Sequence, residues 1–216
     1  MLIPKISIPF PLEWGFSTLE DREIYPTPLR LNQVHGCSVV EASSSGSIRK
    51  ADGIWTIAAN TPIGVTVADC VPILLAGPIS GQPWVAAIHA GWRGATNGIL
   101  RRGIEVFTNL GGSIKDLTWA FGPAILKCHF EVGKDVISAA RQDPAWLDNL
   151  AELGPEKNKF YLDLHGLLRA QAVDVGLDLA KDGSVSLCTY CNPTLLSSYR
   201  RNCKCKRQWG WIKILQ

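Results

Sequence analysis

Apolar and polar positions recur along this chain with two different periods. Apolar, partly β-branched runs bounded by Gly, Pro, Asn or Asp fall at 63–68, 73–76, 84–89, 117–121 and 185–188 and predict strands. A further run over 208–214 alternates, with Trp209 and Trp211 on one face and Ile212 and Ile214 on the other. Helical spacing takes over elsewhere. Leu100, Ile104 and Phe107 follow a turn at Gly94, and Leu164, Leu168, Ala172 and Val175 follow Asp163, a predicted helix cap. A third helix is expected after Glu131, turning Val136, Ile137 and Ala140 inwards. Strands and helices mix without regular alternation, so the pattern predicts an α+β fold rather than a doubly wound sheet. The uncharged stretch 70–92 is long enough to cross a membrane, but Pro72, Gly77, Pro78, Gly81 and Pro83 cut it up. It reads as two buried strands joined by a turn, and no membrane span is expected. The Ser-rich stretch 43–47 reads as a surface loop.

Composition narrows the class. With 216 residues, 46% hydrophobic and 19% charged, the chain is expected to form one globular domain over 1–216. The net charge of +3 is unevenly spread. Asp182 is the last acidic residue, and Arg200, Arg201, Lys204, Lys206, Arg207 and Lys213 lie beyond it. The body is therefore slightly acidic, which argues against a uniformly basic nucleic-acid binder and leaves a basic tail to be placed. Seven Cys is an odd number, and Met1-Leu2-Ile3-Pro4-Lys5 does not read as a secretory leader. Reduced, buried or metal-bound thiols in a cytoplasmic protein are the expectation.

Three polar residues end apolar runs next to a turn-forming Gly or Pro. His35 stands in Asn32-Gln33-Val34-His35-Gly36, Cys70 in Ala68-Asp69-Cys70-Val71-Pro72, and His89 in Ile88-His89-Ala90-Gly91. Strand ends aim side chains into clefts, and two imidazoles with one thiolate can hold zinc with a fourth position open. Spacing alone also fits a packing Cys and loop histidines. Asp69, next to Cys70, would point to the opposite face of a continuing strand, which suits a loop-orienting role better than a catalytic one. Gly91-Trp92-Arg93-Gly94 turns into a helix near Ala95, where backbone N–H groups and Arg93 would suit phosphate; the alternative is a solvated surface Arg. His129 neighbours a Gly-Pro turn and could touch a ligand, whereas His165 reads as a partly buried surface residue. In the tail, Cys188-x₂-Cys191 and Cys203-x-Cys205 could form a four-thiolate zinc site, although the second pair is tightly spaced.

The words Asn32-Gln33-Val34-His35-Gly36, Ala51-Asp52-Gly53, Ala68-Asp69-Cys70-Val71-Pro72 and His89-Ala90-Gly91-Trp92-Arg93-Gly94 occur in fixed order. Phe121-Gly122-Pro123-Ala124-Ile125, Phe130-Glu131-Val132-Gly133 and Ser198-Tyr199-Arg200-Arg201 follow them. Together they resemble the laccase-domain family, once labelled polyphenol oxidases and regarded as purine nucleoside phosphorylases. The resemblance implies a zinc site at His35, Cys70 and His89. It implies phosphorolysis of adenosine, inosine and methylthioadenosine, with adenosine deamination at the same site. It also implies a mixed β-sheet core flanked by helices, similar to toxin deamidases that use a Cys and a His. Purine nucleosides and inorganic phosphate become the expected partners, with Gly91, Arg93, Gly94 and Arg200 beside the phosphate if the Arg200 segment folds back to the cleft. Where the family usually has Thr-Gly-Arg, this chain has Cys205-Lys206-Arg207, so only the Arg carries over. The zinc deaminase word Pro-Cys-x-x-Cys is absent from the sequence, so no proton shuttle is assigned.

Two other enzyme readings compete. Cys70 as nucleophile with His89 as base would give a metal-free hydrolase or deamidase. A copper oxidase is the weaker reading, because a blue-copper site takes an axial Met and Met1 is the sole Met. A binding module using residues 188–213 on single-stranded RNA is the reading from outside enzymology.

Overall fold

A computed structural model describes residues 1–21, 27–42 and 49–216. The expected Ser-rich loop at 43–47 lies outside the described residues. The chain runs through β1 (Leu12–Phe16), β2 (Val39–Glu41), β3 (Gly53–Thr56), β4 (Ile63–Val67), β5 (Val71–Ile79) and β6 (Gln82–Ala90). Next come α1 (Trp92–Thr96), α2 (Ile99–Asn109), β7 (Thr118–Phe121), β8 (Glu131–Gly133) and α3 (Lys134–Ala140). Then follow β9 (Ala151–Leu153), β10 (Lys159–Leu162), α4 (Leu164–Asp174) and β11 (Gln208–Ile214).

The uncharged stretch folds as expected into a hairpin of β5 and β6, paired antiparallel from Val71↔Ala90 to Ile79↔Gln82. This hairpin is the centre of a sheet ordered β2-β3-β6-β5-β7, in which only the β2–β3 pair is parallel. Both faces of the hairpin are covered, which explains why its strands are apolar at nearly every position. Alternate residues sort between two cores. Val71, Ile73, Leu75, Trp84, Ala86 and Ile88 pack with Leu100, Ile104 and Phe107 of α2 and Leu164, Leu167 and Leu168 of α4. Leu74, Ala76, Val85 and Ala87 pack with Phe16, Ile63, Val65, Ile212 and Ile214 of a second sheet, ordered β1-β11-β4. A third small sheet, β8-β10-β9, adds Val132 and Leu162 to the first of these cores. The fold is α+β: a mixed sheet between helices and a second sheet.

Local chemistry sets the element ends. Asp163 caps α4 through its carboxylate, which accepts from the N–H of Gly166 at 2.7 Å. Gly98 takes φ +81°, a left-handed conformation that favours Gly, and breaks the expected single helix into α1 and α2. Helix α1 accordingly starts at Trp92, earlier than the expected position near Ala95. The expected strand over 185–188 is absent. That segment turns on itself where Leu187 N–H bonds Val185 O, and it pairs only through isolated contacts such as the Ala124↔Cys188 bridge and Val185 N–H to Phe121 O. The neighbouring strand β7 stops before Pro123, which has no N–H to continue a ladder.

Candidate functional site

Asp52 organises the site although it was not singled out for any chemistry. Its side chain is fully buried, and it accepts N–H bonds from Val34, His35 and Gly36 at 3.2, 2.9 and 2.7 Å. These three bonds fold the 34–36 turn and place His35, which sits at φ +59°. The same carboxylate binds His89 Nδ1 at 2.8 Å, fixing the ring so that Nε2 is its remaining nitrogen. Cys70 lies at the bend between β4 and β5, where Asp69 takes φ +93°. That bend overturns the premise of a continuing strand, and Asp69 and Cys70 both line the same cleft. The side chains of His35, Cys70 and His89 offer ligand atoms within 4.8 Å of one another, and the two imidazoles meet edge-on with centroids 4.7 Å apart. Gly91 is required here for close approach: a Cβ would lie 3.0 Å from His35 Cδ2 and 3.2 Å from Cys70 Sγ.

The charges are coupled. Burial alone would raise the Cys70 thiol, but hydrogen bonds from His35 and His89 reverse this and bring it down to about 6. Burial would likewise lower His89, yet its bonds to Asp52 and Cys70 push it up to about 9. Asp52 is also held below its ordinary range, because the His89 bond and the backbone N–H groups outweigh its desolvation. At neutral pH the cluster is thus a thiolate beside a cationic imidazole, a set ready to exchange protons for a metal ion. Two imidazoles, one thiolate and a side open to the cleft suit zinc, and the Asp52–His89 contact is the outer support that such ligands take.

The cleft above the cluster measures about 590 Å³, within the range of small-molecule sites. Leu31, Ile125, Phe130 and Tyr199 give it apolar and aromatic walls, and Arg200 and Arg207 bring positive charge. The tail does fold back. Arg200 is tied by its own N–H to Asp69 Oδ2 at 2.7 Å, and its guanidinium donates to the Glu131 carbonyl at 3.0 Å. Asp69 also accepts from Thr189 Oγ1 at 2.6 Å, so its carboxylate orients the tail. Arg201, not assigned a role from sequence, donates to the carbonyls of Thr189, Tyr190 and Leu196 and locks that loop. Arg93 is exposed, with its guanidinium 4.3 Å above the Trp92 ring, and it is not among the residues lining the cleft. Gly94 lets α1 approach the His35 turn, since a Cβ there would meet Gly36 O at 2.8 Å.

The remaining histidines and cysteines depart from expectation. His165 is buried at 6% exposure, edge-on to Phe121, instead of lying partly at the surface. The four-thiolate set does not assemble. Cys188 and Cys191 gather with Cys128 and His129, whereas Cys203 and Cys205 belong to neither Cys/His group found among the described residues. The signal was the adjacency Cys128-His129, which the Gly-Pro turn brings against the C-x₂-C word.

The family profile described as multi-copper polyphenol oxidoreductase laccase matches residues 18–215. A purine nucleoside phosphorylase of a Synechocystis species is 32% identical over 209 residues, 85% of this chain and 78% of that protein. An adenosine deaminase from an unidentified prokaryote is 30% identical over 179 residues, 78% of this chain and 68% of that protein. Among solved structures, a Bacillus licheniformis hypothetical protein, YfiH, superposes with a TM-score of 0.79 at 25% identity, covering 86% of this chain and 74% of its own.

Proposed function

Because this chain belongs to the family described as multi-copper polyphenol oxidoreductase laccase, whose relatives include the phosphorylase and the deaminase above, we propose that it is a purine nucleoside phosphorylase with adenosine deaminase activity. The observation that carries the reading is the His35–Cys70–His89 cluster at the base of a cleft with aromatic walls and a cationic rim. Adenosine, inosine and methylthioadenosine are the proposed substrates, in a cytoplasmic enzyme. Phosphorolysis breaks the bond from the sugar C1′ to the purine nitrogen and forms a bond from C1′ to a phosphate oxygen. The residues divide that work by chemistry. Tyr199 and Phe130 offer faces for the purine, and Arg200 and Arg207 supply positive charge for phosphate. Because Arg200 already donates to backbone carbonyls, it contributes field and shape, and Arg207, 5.2 Å above the Tyr199 ring, couples the anion and base subsites. His35, Cys70 and His89 would hold zinc, with Asp52 keeping His89 oriented. A zinc ion held there would supply Lewis acidity for activating water, which would suit deamination at the purine C6.

The residues fit copper oxidation poorly. Met1 Sδ lies against Gly15 on β1 rather than beside Cys70, so a blue-copper axial thioether is missing. His165 is buried beside Phe121 and His129 sits in the other Cys cluster, which leaves no set of histidines for a further copper centre.

One arrangement favours a second reading. Cys70, His89 and Asp52 stand in the order nucleophile, base and orienting carboxylate, with Asp52 on His89 Nδ1 at 2.8 Å. Product analysis after incubating adenosine with and without phosphate decides between them. The phosphorylase reading expects adenine only when phosphate is present, and inosine in either case, passing on to hypoxanthine where phosphate is present. It also expects Cys70→Ala to lose the metal of this cluster and turnover by at least about a hundredfold, the upper scale on which even outer supports of a metal act. Full activity in Cys70→Ala would overturn it, and activity that survives a chelator in the wild type would favour the metal-free triad.

A further inference from the structure

We propose that Cys128, His129, Cys188 and Cys191 form a second, closed zinc site that clamps the tail against the loop before β8 and so builds one wall of the cleft. This inference stands apart from the functional reading, because none of its four residues lines the cleft.

The donor geometry is the first argument. The Sγ atoms of Cys188 and Cys191 each lie 3.7 Å from Cys128 Sγ. His129 Nδ1 is 3.2 Å from Cys128 Sγ and 3.3 Å from Cys191 Sγ. A tetrahedral zinc with bonds of about 2.3 Å to sulfur and about 2.0 Å to nitrogen requires edges of roughly 3.8 Å between sulfurs and 3.5 Å from sulfur to nitrogen. These four of the six edges lie within about 0.3 Å of a zinc tetrahedron, and all four donor atoms lie within 4.8 Å of one another. The sulfur separations are also far longer than the roughly 2.05 Å of a disulfide. Three sulfurs and one imidazole leave no open position, as in structural rather than catalytic zinc sites.

The backbone supports the same reading. Leu126 N–H reaches Cys188 Sγ at 3.5 Å, the kind of donor that steadies a thiolate. Two tight turns present the ligands: His129 N–H bonds Leu126 O, and Asn192 Nδ2 bonds the Cys188 carbonyl at 2.8 Å. Tyr190, between the two tail cysteines, stacks on the His129 ring at 4.3 Å and 19°, which fixes the imidazole plane. Position gives the site its role. The loop carrying Cys128 continues into Phe130, and the tail carrying Cys188 continues to Tyr199 and Arg200, all three of which line the cleft. The segment 184–207 has no strand or helix of its own, and a metal clamp is the device that small, loop-rich segments use in place of a core.

The test counts metal in a background that removes the first site. Purified Cys70→Ala protein should keep about one zinc per chain, and Cys70→Ala/Cys191→Ser should keep none. Replacing zinc by cobalt in Cys70→Ala should give intense sulfur-to-cobalt absorption in the near ultraviolet, as only thiolate ligands allow. Native alkylation of the wild type should modify Cys203 and Cys205 first and reach Cys128, Cys188 and Cys191 only after a chelator. Cys70→Ala protein without tightly bound metal, cobalt spectra without the sulfur bands, or an intact mass showing a disulfide among these three cysteines would each overturn the proposal. The cobalt spectrum and the mass decide the matter even if the double variant fails to fold. Loss of nucleoside turnover alone bears only on the first site.

Discussion

At the scale of single residues, one carboxylate connects most of the site. Asp52 folds the His35 turn through three backbone donors and charges His89 through Nδ1, and His89 in turn draws down the Cys70 thiol. The chain of influence has a pH signature. The thiolate is the nucleophile towards alkylating agents, and its ordinary pKa of 9.0 is brought to about 6. In chelator-treated protein the alkylation rate of Cys70 should therefore rise through pH about 6 and be level by neutral pH. Asp52→Asn removes the charge that holds His89 cationic, so the inflection should move up towards the ordinary thiol value. An unchanged inflection in that variant, followed by mass spectrometry of the Cys70 peptide, would mean that His35 alone sets the thiol. Sequence reading found His35, Cys70 and His89 because each ends an apolar run beside a turn former. It passed over Asp52, since a carboxylate between Ala and Gly gives no local sign that it will be buried with three N–H donors. Asp69 was read correctly as a loop-orienting group, but for a reason the bend at that residue removed.

At the scale of elements, the site depends on a hairpin held from both sides. Cys70 precedes β5 and His89 nearly ends β6, so the register Pro72↔His89 sets their approach. Helix α2 backs this hairpin, with Phe107 fully buried against Trp84 at a centroid distance of 5.0 Å. Phe107→Ala should cost about 3–5 kcal/mol, the usual range for a buried aromatic, and lower the melting temperature by roughly 6–20 °C. Metal content at 20 °C should stay unchanged in that variant, because α2 supplies no ligand. A melting temperature within a degree or two of wild type would show that the α2 face is less tightly packed than its burial indicates. The long strands β5 and β6, the inward faces of α2, α3 and α4, and the Asp163 cap were legible, since each pattern spans several residues of one period. The three-residue strands β2, β8 and β9 were not, because so few residues carry no measurable period. The segment 185–188 was misread for the complementary reason: its residues are strand-like, but no neighbour offers it a continuous ladder.

At the scale of the whole molecule, the uneven charge resolves into internal bonds. Arg200 and Arg201 spend their guanidinium donors on backbone carbonyls, and Lys213 pairs with Glu13 at 2.8 Å across β1 and β11. Arg207 stands over Tyr199 at the cleft. Four of the six tail charges are thus engaged within the fold, and the tail is not a free polycation. Fluorescence anisotropy with a single-stranded RNA should show no steep, salt-dependent binding at low ionic strength. A salt slope equivalent to four or more released counterions would contradict this and restore the binding-module reading. No helix among the described residues is long and apolar enough to cross a membrane, in line with the hairpin reading of the 70–92 stretch.

The sequence by itself determined the α+β class, the central hairpin, the three residues of the first cluster and the family, because these rest on periodicity and on words of adjacent residues. The tertiary structure alone decided which distant groups meet. Asp52 found His89 across 37 positions, and Cys128 found Cys188 across 60. It also brought Arg207 into the cleft lining and left Arg93 out of it. Such pairings follow from how strands register and where a backbone bends, as at Asp69. Those outcomes are set by packing on two faces of one sheet, and no local run of residues encodes them.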